Sequence, residues 1–189
     1  MRNLKYAILG LLSQHPMTGY DIAREFKENA FANFWYATHG QIYPELKRLL
    51  EEELVQYEVV IQGKVLEKKL YTITEAGRQD FLNWLTVDEE VPPTPKDTFR
   101  LRTYFSQFAD KAEFIHMLYS QLSKHQYKHT YLSRLMSQQY PKRPEPMTQA
   151  LGDYMVLEGA IIREHTYIVW LYKCLSYYGE DIPDDKLTL

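Results

Sequence analysis

One cysteine, Cys174, stands alone in 189 residues, so the chain has no internal disulfide framework and suits a reducing compartment, the cytoplasm. Long apolar runs are missing too. No stretch approaches the roughly 18 residues that span a bilayer. The AILGLL behind Arg2 and Lys5 is too short, and lacks a following small-residue cleavage site, to be a leader. It reads as helix, and no membrane partner is expected. The motifs GxGxxG, GxSxG and HExxH and the phosphate loop do not occur, so an enzyme is not expected. Nor is there a basic excess. The net charge is -3, from 22 Lys and Arg against 25 Asp and Glu, and residues 1–86 hold ten against eleven, a balance of -1. Bulk charge does not announce nucleic-acid binding, which has to be argued from where the cations sit.

With 45% hydrophobic and 25% charged residues, the chain can hold one modest core plus a second helical unit. Leu4, Ala7, Ile8, Leu11 and Leu12 make an amphipathic helix that ends near His15 and Pro16. In MTGYDIAREFKENA, Thr18 stands three residues before Asp21, close to a capping box, and opens a second helix with Ile22, Ala23 and Phe26 on one face. FANFWYATHG is a turn region. HGQIYPELKRLLEEELV then predicts a third helix starting near Gly40 or Gln41, or else kinked at Pro44, because proline is cheap only in a first turn. Ile42, Leu46, Leu49 and Leu50 form its buried stripe and Gln41, Pro44, Lys47 and Arg48 its outer side. Glu51, Glu52 and Glu53 crowd the rear, which should point away from anything anionic.

After Leu54 the period changes to two. Val55, Tyr57, Val59 and Ile61 alternate with Gln56, Glu58 and Val60, and a second β-rich run covers Val65 to Thr74, giving a hairpin with Gly63 in its tip. Thr74 caps a helix carrying Phe81, Leu82 and Leu85. Helix, helix, helix, hairpin, helix is the order of a winged helix-turn-helix. VDEEVPPTPKD, residues 87–97, is an acidic, proline-rich linker. The remainder reads as helix: a short one with Phe99, Tyr104, Phe105 and Phe108, a long one over Phe114 to Met136, and a last one of roughly thirty residues.

The fold class is therefore mainly α within α+β. Residues 1–86 form a winged helix-turn-helix domain, 87–97 a linker, and 98–189 a helical domain. In the last helix Tyr154, Leu157, Ile161, Ile168, Leu171 and Leu175 follow an alternating 3,4 spacing with Glu164 at the one missing position. That seam predicts a homodimer through Leu157, Ile161, Ile168, Leu171 and Leu175; the alternative is packing against the Phe114 to Met136 helix of the same chain.

LKYAILGLL, MTGYDI, the Phe34–Trp35 pair, QIYPELKRLLEEELV and IQGKVLEKKLYTITEAG together resemble the PadR family of bacterial transcriptional regulators. The resemblance covers the whole N-terminal domain, and the length and helical tail resemble the larger subfamily. EGAIIREHTYIVWL resembles, more loosely, the tail of regulators that repress phenolic acid decarboxylase genes. The resemblance implies a dimeric repressor on a double-stranded inverted-repeat operator. It also implies release by a hydroxycinnamic acid, p-coumaric or ferulic, and no other cofactor.

On the DNA side the expected contacts are His39, Gln41, Tyr43 and Lys47 at the front of the third helix, where Gln can pair bidentately with adenine. Lys64 at the wing tip and Lys68 behind it are the expected wing contacts. The competing reading is a winged helix that serves only protein contacts. An effector needs a slot for a flat ring, a cation for its carboxylate and a polar partner for its phenol. Arg163 with Tyr154, Tyr167 and Trp170 is one candidate set, and Arg100 with Tyr104, just after the linker, a second. A lipophilic drug-like cation remains an alternative inducer. His125 and His129 lie one helical turn apart, a chelating spacing, but no third ligand is near in sequence and no metal is expected.

Overall fold

The computed structural model describes residues 2–28, 35–62, 66–91 and 93–188. Phe34, Gly63 and Lys64 lie outside them, so the Phe34–Trp35 pair and the wing-tip contact are not described. The chain divides into two compact units, Met1–Val91 and Pro92–Leu189, with the division inside the expected 87–97 linker.

The first unit runs α1 (Asn3–Gln14), β1 (Met17–Thr18), α2 (Gly19–Glu28), α3 (His39–Glu51), β2 (Val55–Gln62), β3 (Leu66–Ile73) and α4 (Glu75–Leu85). β2 and β3 pair antiparallel from Val55↔Ile73 to Gln62↔Leu66, and β1 adds to the other edge of β3, giving the order β1-β3-β2. Ile8, Leu9, Ile22, Phe26, Ile42, Leu46 and Leu49 fill the core beneath the sheet. Each such side chain contributes about 1.5–3 kcal/mol on burial. Thr18 and Asp21 form the expected reciprocal cap: the Thr18 hydroxyl and N–H donate to Asp21 Oδ2 at 2.6 and 3.2 Å, and the Asp21 N–H donates back to Thr18 Oγ1. The Thr18 hydroxyl bond, with Arg24 nearby, holds the Asp21 carboxyl below the usual carboxylate range despite its partial burial.

Three expectations change here. Helix α3 begins at His39, capped by Thr38, so Pro44 lies inside the helix rather than in its first turn. The hydrogen bond it forfeits is the one to the Gly40 carbonyl, where the absence of a side chain leaves water free access. The hairpin alternates as expected, but only its base is buried. Val55 and Tyr71 join the core, whereas Tyr57, Val59 and Ile61 are 41%, 54% and 71% exposed as the strands run past it. In α4 the Thr74 cap is present, its hydroxyl oxygen accepting the Gly77 N–H at 3.1 Å. Leu82 and Leu85, however, face outward, and Phe81 and Trp84 do the packing, with Trp84 stacked 4.6 Å from Tyr6.

The second unit comprises α5 (Thr98–Tyr104), a 3-10 turn at Ser106–Phe108, α6 (Lys111–Gln139), α7 (Gln149–Tyr177) and a 3-10 turn at Asp184–Lys186. Of Phe99, Tyr104, Phe105 and Phe108, Phe99 alone is buried. Helices α6 and α7 run antiparallel, since Phe114 meets Tyr178, His125 meets Glu164, and Leu132 packs with Leu157. Within the chain the stripe has the partner of the alternative reading. Ile168, Leu171 and Leu175 bury against Leu118 and Leu122, and Leu157 and Ile161 against Leu132, all within one chain. The 3,4 spacing reports a long apolar stripe, and α6 supplies a partner of equal length for it. Cys174 is buried in the same layer, and burial pushes its thiol up.

Candidate DNA-binding face and effector region

Helix α3 presents His39, Gln41, Tyr43 and Lys47 outward, all exposed. Its start is set by a capping box: the Thr38 N–H donates to Gln41 Oε1 at 2.9 Å, and the Thr38 hydroxyl to the same oxygen at 3.1 Å. The amide oxygen expected to pair with a base is therefore committed to the cap in the free protein, while the amide NH2 points free of it. Tyr43 stacks loosely on His39, with ring centroids 6.1 Å apart. Its ring also lies over Gly19, where a Cβ would come within 2.8 Å of Tyr43 Cε1. A side chain at Gly19 would push the exposed Tyr43 ring aside, a link that the glycine's position at a helix start did not reveal. Lys47 reaches Glu51 at 3.8 Å, an exposed pair one turn apart. On the wing, Lys68 is half-buried beside Asp21, and Lys69 lies 4.2 Å above the Tyr57 ring.

The rear of α3 gathers part of the acidic count. Glu45 is buried on the apolar side, accepts from Arg2 at 2.6 Å and pairs with Arg48 at 3.3 Å. Arg2 also bonds Glu52, and Lys5 bridges Glu52 at 3.8 Å and Asp80 at 2.7 Å. Arg2 thereby holds the Glu52 carboxyl below its usual range. Glu45, Glu52 and Asp80 are held behind the helix by Arg2 and Lys5, the two cations that open the chain, whereas Glu51 lies on the outer side beside Lys47.

In the second unit the two effector sets do not assemble as expected, but part of each does. Tyr167, Trp170 and Arg100 converge with three residues that sequence reasoning did not assign to this region: Asp97, Phe99 and His125. The Tyr167 hydroxyl donates to Asp97 Oδ2 at 2.7 Å, while Asp97 Oδ1 accepts the N–H groups of Phe99 and Arg100 and so caps α5. His125 stacks on the Tyr167 ring at 4.0 Å, Trp170 meets it edge-on at 5.0 Å, and Phe99 meets Trp170 edge-on at 6.0 Å. The Arg100 guanidinium lies 5.6 Å from the Trp170 centroid. Beneath them sits Glu164, 3% exposed, bonded to His125 Nδ1 at 2.6 Å and to Lys128 at 2.8 Å. Burial pushes the Glu164 carboxyl up, but Lys128 and His125 together outweigh it and hold it below the usual range. Burial and the Asp97 carboxylate both push the Tyr167 phenol up. Asp97 had a readable signal, an aspartate directly before a helical run.

The other expected residues stand apart. Arg163 is exposed and forms no ion pair or hydrogen bond among the described residues. Tyr154 is two and a half turns before it, edge-on to Tyr140 at 5.8 Å and bonded to Glu158. Tyr104 is 77% exposed, against Phe105. His129 faces His165 at 5.8 Å rather than His125, and among the described residues no three metal-ligating side chains come together.

Residues 8–83 match the transcriptional regulator PadR-like family, and residues 95–178 match the C-terminal region described as virulence activator alpha. The chain is 42% identical over 187 residues to the negative transcriptional regulator PadR of Bacillus subtilis, spanning 96% of this chain and 100% of that protein. The crystal structure of Bacillus subtilis PadR in complex with operator DNA superposes with a TM-score of 0.88 at 39% identity, covering 94% of this chain and 99% of that one. The complex with p-coumaric acid gives 0.84 at 36% identity, covering 95% and 100%. The likeness runs along nearly the whole length of these relatives, and the chain belongs to the PadR-like family of transcriptional regulators.

Proposed function

We propose that this chain is a cytoplasmic transcriptional repressor that holds a double-stranded operator through α3 and the wing and releases it when a phenolic acid binds. Residues 1–86 would serve as the DNA-binding module, 87–97 as the linker, and 98–189 as the dimerisation and effector-response part. The observation that carries the reading is the near end-to-end similarity to a negative regulator, of which one crystal structure contains operator DNA and another p-coumaric acid. The outward face of α3 supports it independently. Glu45 and Glu52 are tied to Arg2 behind the helix, and the exposed His39, Gln41, Tyr43 and Lys47 are the side chains proposed to meet base edges and phosphates.

A homodimer on an inverted repeat would set two such helices about 34 Å apart, one turn of DNA. Because α7 spends its apolar stripe on α6, a second copy would have to use the side chains still exposed on this unit, Tyr127 and Ile162 among them. p-Coumaric acid is the first effector to test, and ferulic acid, with one added methoxy group, the second.

Fluorescence anisotropy tests the reading, using labelled DNA from upstream of this gene and of any adjacent decarboxylase gene. Sequence-dependent binding that weakens steeply between ~50 and ~200 mM salt, and that is reversed by p-coumaric acid, is the expected result. Binding to no DNA sequence above background would overturn it in favour of a protein-interaction module. DNA binding unaffected by phenolic acids but reversed by a lipophilic cation would replace the inducer.

A further inference from the structure

Helix α3 is held within its unit in two different ways. Ile42, Leu46 and Leu49 sink into the core, and because apolar burial is non-directional it resists withdrawal of the helix more than a small roll about its own axis. Direction comes from the flanks. On one side the Tyr43 ring lies over Gly19 of α2. Two positions on, and so roughly 160° away around the axis, the buried Glu45 carboxylate meets Arg2, the N-cap of α1. Its Oε1 accepts from Arg2 Nε at 3.0 Å and Arg2 Nη2 at 2.6 Å, and its Oε2 from Arg48 at 3.3 Å. Arg2 Nη1 donates to Glu52, the C-cap of α3, which lies about two turns farther along the same flank. One planar guanidinium thus grips the helix at two points. Pro44, between the two flank residues, has already removed the backbone bond to the Gly40 carbonyl, so the front turn depends the more on them.

We infer that Arg2 is a positioning residue for operator reading: through Glu45 and Glu52 it fixes the roll of α3, and so the aim of the side chains the helix presents to base edges. It acts through those two acids rather than on the DNA. This rests on the DNA-binding reading above. A roll of about 10° moves a side chain at a radius of about 6 Å by on the order of 1 Å. That displacement exceeds the range over which a hydrogen bond to a base holds, whereas contacts to phosphates, carried by long flexible side chains, tolerate it. Sequence preference is therefore the property that the Arg2 tie protects. Its share of stability is small, because an ion pair withdrawn from water can often be replaced by apolar residues of similar size without loss.

The test measures, by fluorescence anisotropy on the full chain, affinity for labelled DNA from upstream of this gene and for a scrambled duplex of the same length, and reads their ratio beside the urea unfolding midpoint. The double variant Arg2→Met with Glu45→Met keeps the net charge and roughly the volume. It should unfold near the wild-type midpoint and bind the scrambled duplex within about twofold of wild type, yet lose about tenfold of the preference for the upstream DNA. Arg2→Lys keeps the charge without the planar fork and should lose about threefold of that preference at wild-type stability. If the double variant does not fold by circular dichroism, Arg2→Lys carries the comparison. A preference within about twofold of wild type in the double variant, or fully wild-type in Arg2→Lys, overturns the inference and leaves the repressor reading standing. A wild-type protein that does not distinguish the two duplexes, nor prefers DNA from upstream of any adjacent decarboxylase gene, removes the DNA-binding reading, and this inference with it.

Discussion

Gln41→Glu and Gln41→Ala together separate the capping role that the structure gives to one side chain from the base-reading role proposed for it. The amide oxygen of Gln41 accepts the Thr38 N–H at 2.9 Å and closes the box that starts α3. Glutamate is favoured at this position of a capping box and places an oxygen where the amide oxygen sits. Gln41→Glu should therefore preserve stability within a few tenths of a kcal/mol, whereas Gln41→Ala should cost about 0.5–2 kcal/mol. DNA affinity should fall in both, by different routes. Losing the amide NH2 would remove the proposed donor to a base edge, worth roughly 1–3 kcal/mol of discrimination, a loss of about 5- to 150-fold. Glutamate additionally sets a negative charge at the phosphate-facing end of the helix, so its penalty should shrink with rising salt while that of alanine does not. Urea unfolding measures the first effect and anisotropy against matched and single-substituted operators the second. If Gln41→Glu binds operator with wild-type affinity and discrimination, the side chain serves the cap alone and base reading belongs to other residues.

Three further outcomes follow from packing and charge. A Cβ at Gly77 would lie 2.0 Å from the Leu54 carbonyl oxygen, itself the acceptor of the Thr74 N–H, so Gly77→Ala should cost more than about 3 kcal/mol in urea unfolding; a cost below 1 would show that α4 can shift. Leu171 is fully buried against α6, and Leu171→Asp should unfold the second unit, seen as lost helical circular dichroism, rather than yield a folded monomer. Glu164 has a folded-state pKa below its unfolded value, so it contributes stability that is present above roughly pH 4.3 and lost as pH falls through the folded value. Glu164→Gln should flatten the acid limb of the stability–pH profile without removing the shares of Asp21 and Asp97, and an unchanged limb would mean that Lys128 and His125 do not hold the carboxylate.

What could be read in advance is what depends on neighbours in sequence. The stripe Ile42, Leu46, Leu49, the Thr18–Asp21 box, the Thr74 cap and the alternating hairpin are each set within about eight residues, over which helical and pleated periods hold. Pairings across the fold were not legible. Nothing near Glu45 in sequence marks it for Arg2, 43 positions away, and a buried acid in an apolar stripe looks like a defect until its partner is known. The α7 stripe showed that a partner was needed but not which one, because periodicity is blind to whether the facing helix belongs to the same chain. Arg163 stands next to Glu164 in sequence, yet adjacent helical positions point about 100° apart. The acid turned inward to His125 and the arginine outward to water. Asp97 was folded into a linker by its acidic, proline-rich surroundings, although its own role is set by the helix that follows.

The burial of Cys174 has a practical use. Its thiol is enclosed in the α6–α7 layer and pushed toward the unreactive, protonated form, so maleimide and nitroxide reagents should pass it by in the folded protein. A cysteine introduced at an exposed α3 position outside the proposed DNA contacts, such as Glu51, could then be labelled selectively. Pulsed electron-spin measurements between two such labels would give the spacing of the recognition helices in solution directly, with operator, with acid and with neither.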